Sequence, residues 1–159
     1  MAGRDDPLAI KQDVLSQLKA LRATIVDKHD AGKLDAAIDD LKKATKSDLW
    51  VNSAHLQRKG GEKVFDEEKD AVNKLGDLID DKHSTIPGPI LQSFIDRLVQ
   101  VDRALALVAI RDAIAAHDNA KKIAEARKEL AKGDSEASRR RPDNAIEHYR
   151  NAWRQALKA

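Results

Sequence analysis

The sequence predicts an all-α protein, an irregular bundle of about six helices built from helical hairpins. Three observations carry this. Apolar residues recur every three or four positions over long segments, β-branched residues are sparse and nowhere alternate with polar ones, and Pro, Gly and Asn clusters separate the periodic segments. A chain of 159 residues is the usual size of one domain, here read as 7–159. That length buries roughly 70% of its unfolded surface in a single core. Apolar residues make up 42% and charged residues 35%, and the formal net charge is only +2. This profile folds rather than remaining disordered, and no overall field attracts nucleic acid or an anionic membrane. There are no cysteines, which removes disulfides, thiolate nucleophiles and cysteine-based zinc sites. No run of about 18 apolar residues is present, so no membrane insertion is expected. The start of the chain, Met1 to Pro7, lacks the apolar run of a signal peptide.

The first helix opens at Asp6-Pro7, with Asp as cap and Pro at the first helical position, where its missing N–H costs nothing. Leu8, Val14, Leu15, Leu18, Leu21 and Ile25 form its stripe, and it is expected to end near His29, before Ala31-Gly32. A second helix from about Leu34 to Ala44 completes a hairpin over 7–46. The period then lapses across 47–61, the longest loop, which carries Leu49, Trp50, Val51 and Leu56. A third helix is expected over 62–83 on Val64, Phe65, Ala71, Val72, Leu75, Leu78 and Ile79, broken by Ile86-Pro87-Gly88-Pro89. The fourth, over 89–116, is apolar around much of its circumference and so belongs at the centre. A C-terminal hairpin over 119–158 follows, its last helix opened by Pro142.

Two segments echo each other. Asp35-Ala-Ala-Ile-Asp-Asp-Leu-Lys-Lys-Ala44 and Asp143-Asn-Ala-Ile-Glu-His-Tyr-Arg-Asn-Ala152 agree in kind at seven of ten positions. The small alanines admit a neighbouring helix while Ile and Leu or Tyr plug the groove, as the second helix of a hairpin requires. The pattern resembles tetratricopeptide-type hairpins, although two copies 108 residues apart do not make a regular solenoid. Ile95-Asp-Arg-Leu-Val99, Glu129-Leu-Ala-Lys-Gly133 and Asn144-Ala-Ile-Glu-His-Tyr149 resemble the helical modules at the C-terminal ends of large secreted or surface bacterial proteins. Leu49-Trp-Val51 and Gly61-Glu-Lys-Val-Phe-Asp-Glu-Glu-Lys69 extend the resemblance over most of the chain. It implies a module and an exported parent protein, and carries no established catalytic or ligand-binding residues.

Candidate chemistry is sparse. His29, His83 and His117 fall at expected helix ends beside Asp27, Asp30, Asp80, Asp81 and Asp118. They read either as metal ligands or, more simply, as partners of the negative helix end. No Glu-x-x-His occurs, so a di-iron bundle is excluded. The acids Asp66, Glu67, Glu68, Asp70, Asp77, Asp80 and Asp81 alternate with Lys63, Lys69, Lys74 and Lys82, which reads as a solvated face of ion pairs. Asp102 stands out because it lies among Val99, Val101, Ala104 and Leu105 on the most apolar helix, with Arg103 beside it. The pair Asp102 and Arg103 is expected to form a buried polar site, either fixing helix register or lining a small pocket.

Residues 118 to 159 hold 11 basic residues against 7 acidic ones, with Arg139, Arg140 and Arg141 the densest run. Aromatic residues that could stack on bases are nearly lacking there, which argues against nucleic acid. Trp50 either pins the long loop over the bundle end or joins Val51 and Leu56 in an exposed contact patch. Nucleophile elbows, Walker loops and dinucleotide fingerprints are absent. The expectation is a non-enzymatic helical module for structure or protein–protein contact, without cofactor, partnered by another protein or by neighbouring domains. Its contact residues would be Trp50, Val51, Leu56, Arg139, Arg140 and Arg141. The alternative is a small-ligand or metal-binding bundle built on Asp102 and the helix-end histidines.

Overall fold

The computed structural model describes residues 5–159 and contains six α-helices: α1 (Pro7–Ala23), α2 (Lys28–Ala44), α3 (Glu62–Asp80), α4 (Gly88–Ala115), α5 (Ala120–Ser138) and α6 (Pro142–Lys158). The all-α expectation holds. Between α2 and α3 lie a single 3-10 turn, Ser47–Leu49, and a minimal antiparallel pair, β1 (Trp50–Asn52) and β2 (His55–Leu56). No described helix is long and apolar enough to cross a membrane.

The first break differs from expectation. Helix α1 stops at Ala23, and α2 starts three residues before the expected turn and runs straight through Ala31-Gly32. The reason is local. The Asp27 side chain accepts the Asp30 N–H at 2.9 Å and so caps a new helix, while the Gly32 Cα faces open space and no turn requires it. A glycine inside a helix weakens it without ending it.

Helix α4 is central as expected, packing against α1, α3, α5 and α6. Its Leu91, Phe94, Ile95, Leu98, Leu105 and Ile110 are all buried. Burying α4 on several sides removes its wide apolar circumference from water, which no two-helix contact could do. The core continues through Val14 and Leu18 of α1, Leu34 and Leu41 of α2, Phe65 and Leu75 of α3, and Ile146, Tyr149 and Trp153 of α6.

The long loop is pinned. Trp50 is buried and its indole N–H donates to the Ala44 carbonyl at 2.8 Å, satisfying an acceptor at the end of α2. Leu56 is buried beside it, whereas Val51, on the opposite face of the strand, is 61% exposed. The echoed segments fall on α2 and α6. Against α6 the approach of α5 is close: a Cβ at Gly133 would lie 2.4 Å from a Tyr149 ring carbon, so only glycine fits.

That contact gives a test of the packing. Gly133→Ala gains helix propensity of about 1 kcal/mol but drives a methyl into the Tyr149 ring, a clash that costs about 1–3 kcal/mol. The net expectation is a lower midpoint in urea unfolding. A variant as stable as wild type would mean that α5 stands further from α6.

Candidate functional site

The most unusual chemistry in the described residues is at the junction of α1, α3 and α4. Lys11, Glu68 and Asp102 are each 0% exposed. Lys11 Nζ donates to Asp102 Oδ1 at 2.6 Å and to Glu68 Oε1. The other oxygens, Glu68 Oε2 and Asp102 Oδ2, are also buried, and the Glu68 and Asp102 carboxyl groups share a hydrogen bond once one of them is protonated. Each residue occupies a core position of its helix. Lys11 lies on the buried row Pro7, Lys11, Val14, Leu18; Glu68 falls between Phe65 and Ala71; Asp102 lies between Leu98 and Leu105. The helical period that buries the leucines therefore buries the charges with them.

One ammonium faces two carboxyl groups, so the fully ionised cluster would place a net negative charge in the core. Taking a carboxylate into a low-dielectric interior costs several kcal/mol even after relaxation. Keeping an ordinary glutamic acid protonated at pH 7 costs about 3.5 kcal/mol. Protonation is the cheaper course. Accordingly, burial and the neighbouring Asp102 carboxylate push the Glu68 carboxyl well above its usual range, against the opposing pull of Lys11. Burial acts to lower Lys11, but the two acids outweigh it and leave the ammonium above its usual value. The cluster is best written as ammonium, carboxylate and neutral acid.

The expected partnership of Asp102 with Arg103 does not form. A helix turns about 100° per residue, so Arg103 leaves the core and its guanidinium meets Asp134 of α5 at 2.8 and 3.2 Å. Tyr149 of α6 donates to the same carboxylate at 2.7 Å, making a node of α4, α5 and α6 at the bundle edge. Burial tends to raise Asp134, but the bonds from Arg103 and Tyr149 outweigh it and hold the carboxyl below its usual range. The Tyr149 hydroxyl is pushed far up by burial and by Asp134, and stays a donor.

The remaining expected residues are scattered. His29 pairs with Asp81 at 3.3 Å from the first turn of α2 rather than the end of α1. His83 and His117 are exposed, and His117 adopts a left-handed φ of 54° beyond α4. Neither they nor His29 join Asp102. Among the described residues the one group of three close ligand-type side chains is Asp40, Glu67 and Asp70, and Lys74 already sits 2.5 Å from Asp40.

Arg139, Arg140 and Arg141 form the turn between α5 and α6, with Arg140 at a left-handed φ of 59°. Arg139 and Arg141 both reach Glu136. Trp50 and Leu56 belong to the core, which leaves Val51 as the exposed apolar residue of the hairpin.

Sequence reasoning found Asp102 and missed its partners. In the sequence Glu68 reads as one of the solvated acids, of which Asp66 pairs with Arg150 across the α3–α6 contact. Lys11 was passed over altogether. The available signal was a gap in each apolar stripe, between Leu8 and Val14 and between Phe65 and Ala71, filled at the core position by a charged residue.

Two measurements follow. Lys11→Met leaves two acids buried without their cation and is expected to cost about 3–5 kcal/mol in urea unfolding. Arg103→Met, which breaks a half-exposed pair, is expected to cost about 1 kcal/mol or less. Equal costs would remove the special weight given to the triad. The lowered Asp134 carboxyl stabilises the fold fully above the usual Asp range, and that contribution is lost as pH falls through its folded value. Between about pH 5 and pH 2, Asp134→Asn should therefore lose less stability than wild type; an unchanged slope would contradict the node.

Comparison with protein-family models, with curated proteins and with solved structures finds no match to this chain.

Proposed function

We propose that this chain is a non-enzymatic helical module, contributing structure or protein–protein contact as a terminal domain of a larger, exported bacterial protein. The observation that carries this reading is the enclosure of the triad. Lys11, Glu68 and Asp102 are sealed at 0% exposure and join three helices, so their charge supports the fold rather than facing a substrate. Long-range pairs add to the same end: Arg97 with Asp13, Arg150 with Asp66, Lys74 with the buried Asp40 and His55 with Asp112 each bridge separate elements.

Contact would come from the end of the bundle where β1, β2, α4 and α6 meet. Val51 projects there at 61% exposure, at a cleft of about 470 Å³ also lined by Val108, Ala109, Trp153 and Leu157. The arginine turn lies elsewhere and is partly neutralised by Glu136, which favours the apolar end over a polyanion contact.

The test combines the purified module with the remaining domains of its parent chain. Association that weakens at least tenfold in Val51→Lys, with a melting midpoint indifferent to zinc, calcium or chelator, is the expected result. A midpoint that rises with either metal and falls with chelator would overturn it in favour of a metal-binding bundle. Association unchanged in Val51→Lys would remove this end of the molecule from the contact.

A further inference from the structure

We propose that Lys11 and Glu68 condense within the folded chain into an intramolecular amide, with Asp102 as the acid–base group, so that α1 becomes covalently joined to α3. The proposal goes beyond the module reading and does not depend on it.

The geometry brings the reacting groups together, and Asp102 must draw the proton from an ammonium that the two acids hold above its usual value. A lysine amine is a nucleophile once it loses its proton, and a neutral carboxylic acid accepts attack at its carbon far better than a carboxylate. Both partners are held in contact, 57 residues apart in sequence, with Asp102 Oδ1 2.6 Å from the same nitrogen. Fixed juxtaposition of this kind corresponds to effective concentrations of about 10⁵ M or more. Burial at 0% exposure keeps bulk water from the junction, so a condensation that is unfavourable in solution is no longer opposed by it. Burial and Asp102 also push Glu68 toward its neutral, electrophilic form.

The step balances without any co-reactant. Asp102 carboxylate takes one proton from the Lys11 ammonium. The free amine adds to Glu68 Cδ, forming the C–N bond, and the tetrahedral centre collapses with loss of the carboxyl hydroxyl. That hydroxyl leaves as water, taking the second amine proton by way of Asp102. Ammonium, neutral acid and carboxylate become a secondary amide, water and neutral Asp102, with net charge zero on both sides. The neutral Asp102 can then donate to the new amide carbonyl. Each molecule reacts once, on itself, so no turnover is implied.

Intact mass spectrometry of the purified, folded protein decides the matter. The expected mass is lower than the sequence mass by one water. A tryptic digest should contain Asp5–Lys19, uncut after Lys11, linked to Val64–Lys69. Lys11→Arg and Asp102→Ala should both retain the full mass. Should these variants fail to fold, the wild-type digest still answers the question by itself. Full mass and separate peptides after prolonged incubation of folded wild type would overturn the proposal. A link to the peptide Leu98–Arg103, which contains Asp102, would overturn the assignment of Glu68 as the electrophile.

Discussion

The meeting of Lys11, Glu68 and Asp102 is the constraint on which the arrangement of helices depends. Apolar stripes hold helices together but tolerate sliding, because a leucine displaced by one turn still meets another apolar side chain. Buried charge does not tolerate it. A one-turn slip of α1 would set the Lys11 ammonium against hydrocarbon and leave two acids alone, at a cost of several kcal/mol. The triad thus fixes the relative register of α1, α3 and α4 at one point, at the price of some stability that a wholly apolar junction would have had.

The other contacts are placed around that point. Helix α4 can be central because it is apolar on several faces, and its one buried acid is matched by the one buried lysine of α1. Where α4 turns outward, Arg103 reaches Asp134 and, through it, Tyr149, so two adjacent residues of one helix serve two different junctions. The close approach of α5 to α6 over Gly133 is needed for this, since it brings the Tyr149 hydroxyl within reach of Asp134. At the far end, Trp50 closes the bundle by capping the last carbonyl of α2, and the short strand pair leaves Val51 outside.

The helices were legible in the sequence because their period is. Asp102 was legible for the same reason, as a charge in the middle of an apolar run. Lys11 was not, because α1 carries enough leucines to define a stripe without position 11, and an isolated lysine at a stripe position looks like a surface residue. Glu68 was hidden by company: three acids in a row, Asp66 to Glu68, read as solvent-facing, yet a helix sends only two of them outward. The partner of Asp102 lies 91 residues away, and nothing local in a sequence specifies a pairing of that range. The misplaced boundary at Ala31-Gly32 has another cause, since glycine ends a helix only where a left-handed residue is needed and α2 needs none.

The proposed function places contact on packing surfaces, and the proposed cross-link places the chemistry of the triad within the chain itself. Both readings require that α1 be fastened to α3 and α4 as one unit. Native-state hydrogen exchange along α1 tests this most directly. If the triad fastens the helix, amides from Val14 to Leu21 will exchange with the same opening free energy as those in the middle of α3 and α4. Exchange of α1 through a separate, much less costly opening while α3 and α4 remain protected would contradict it.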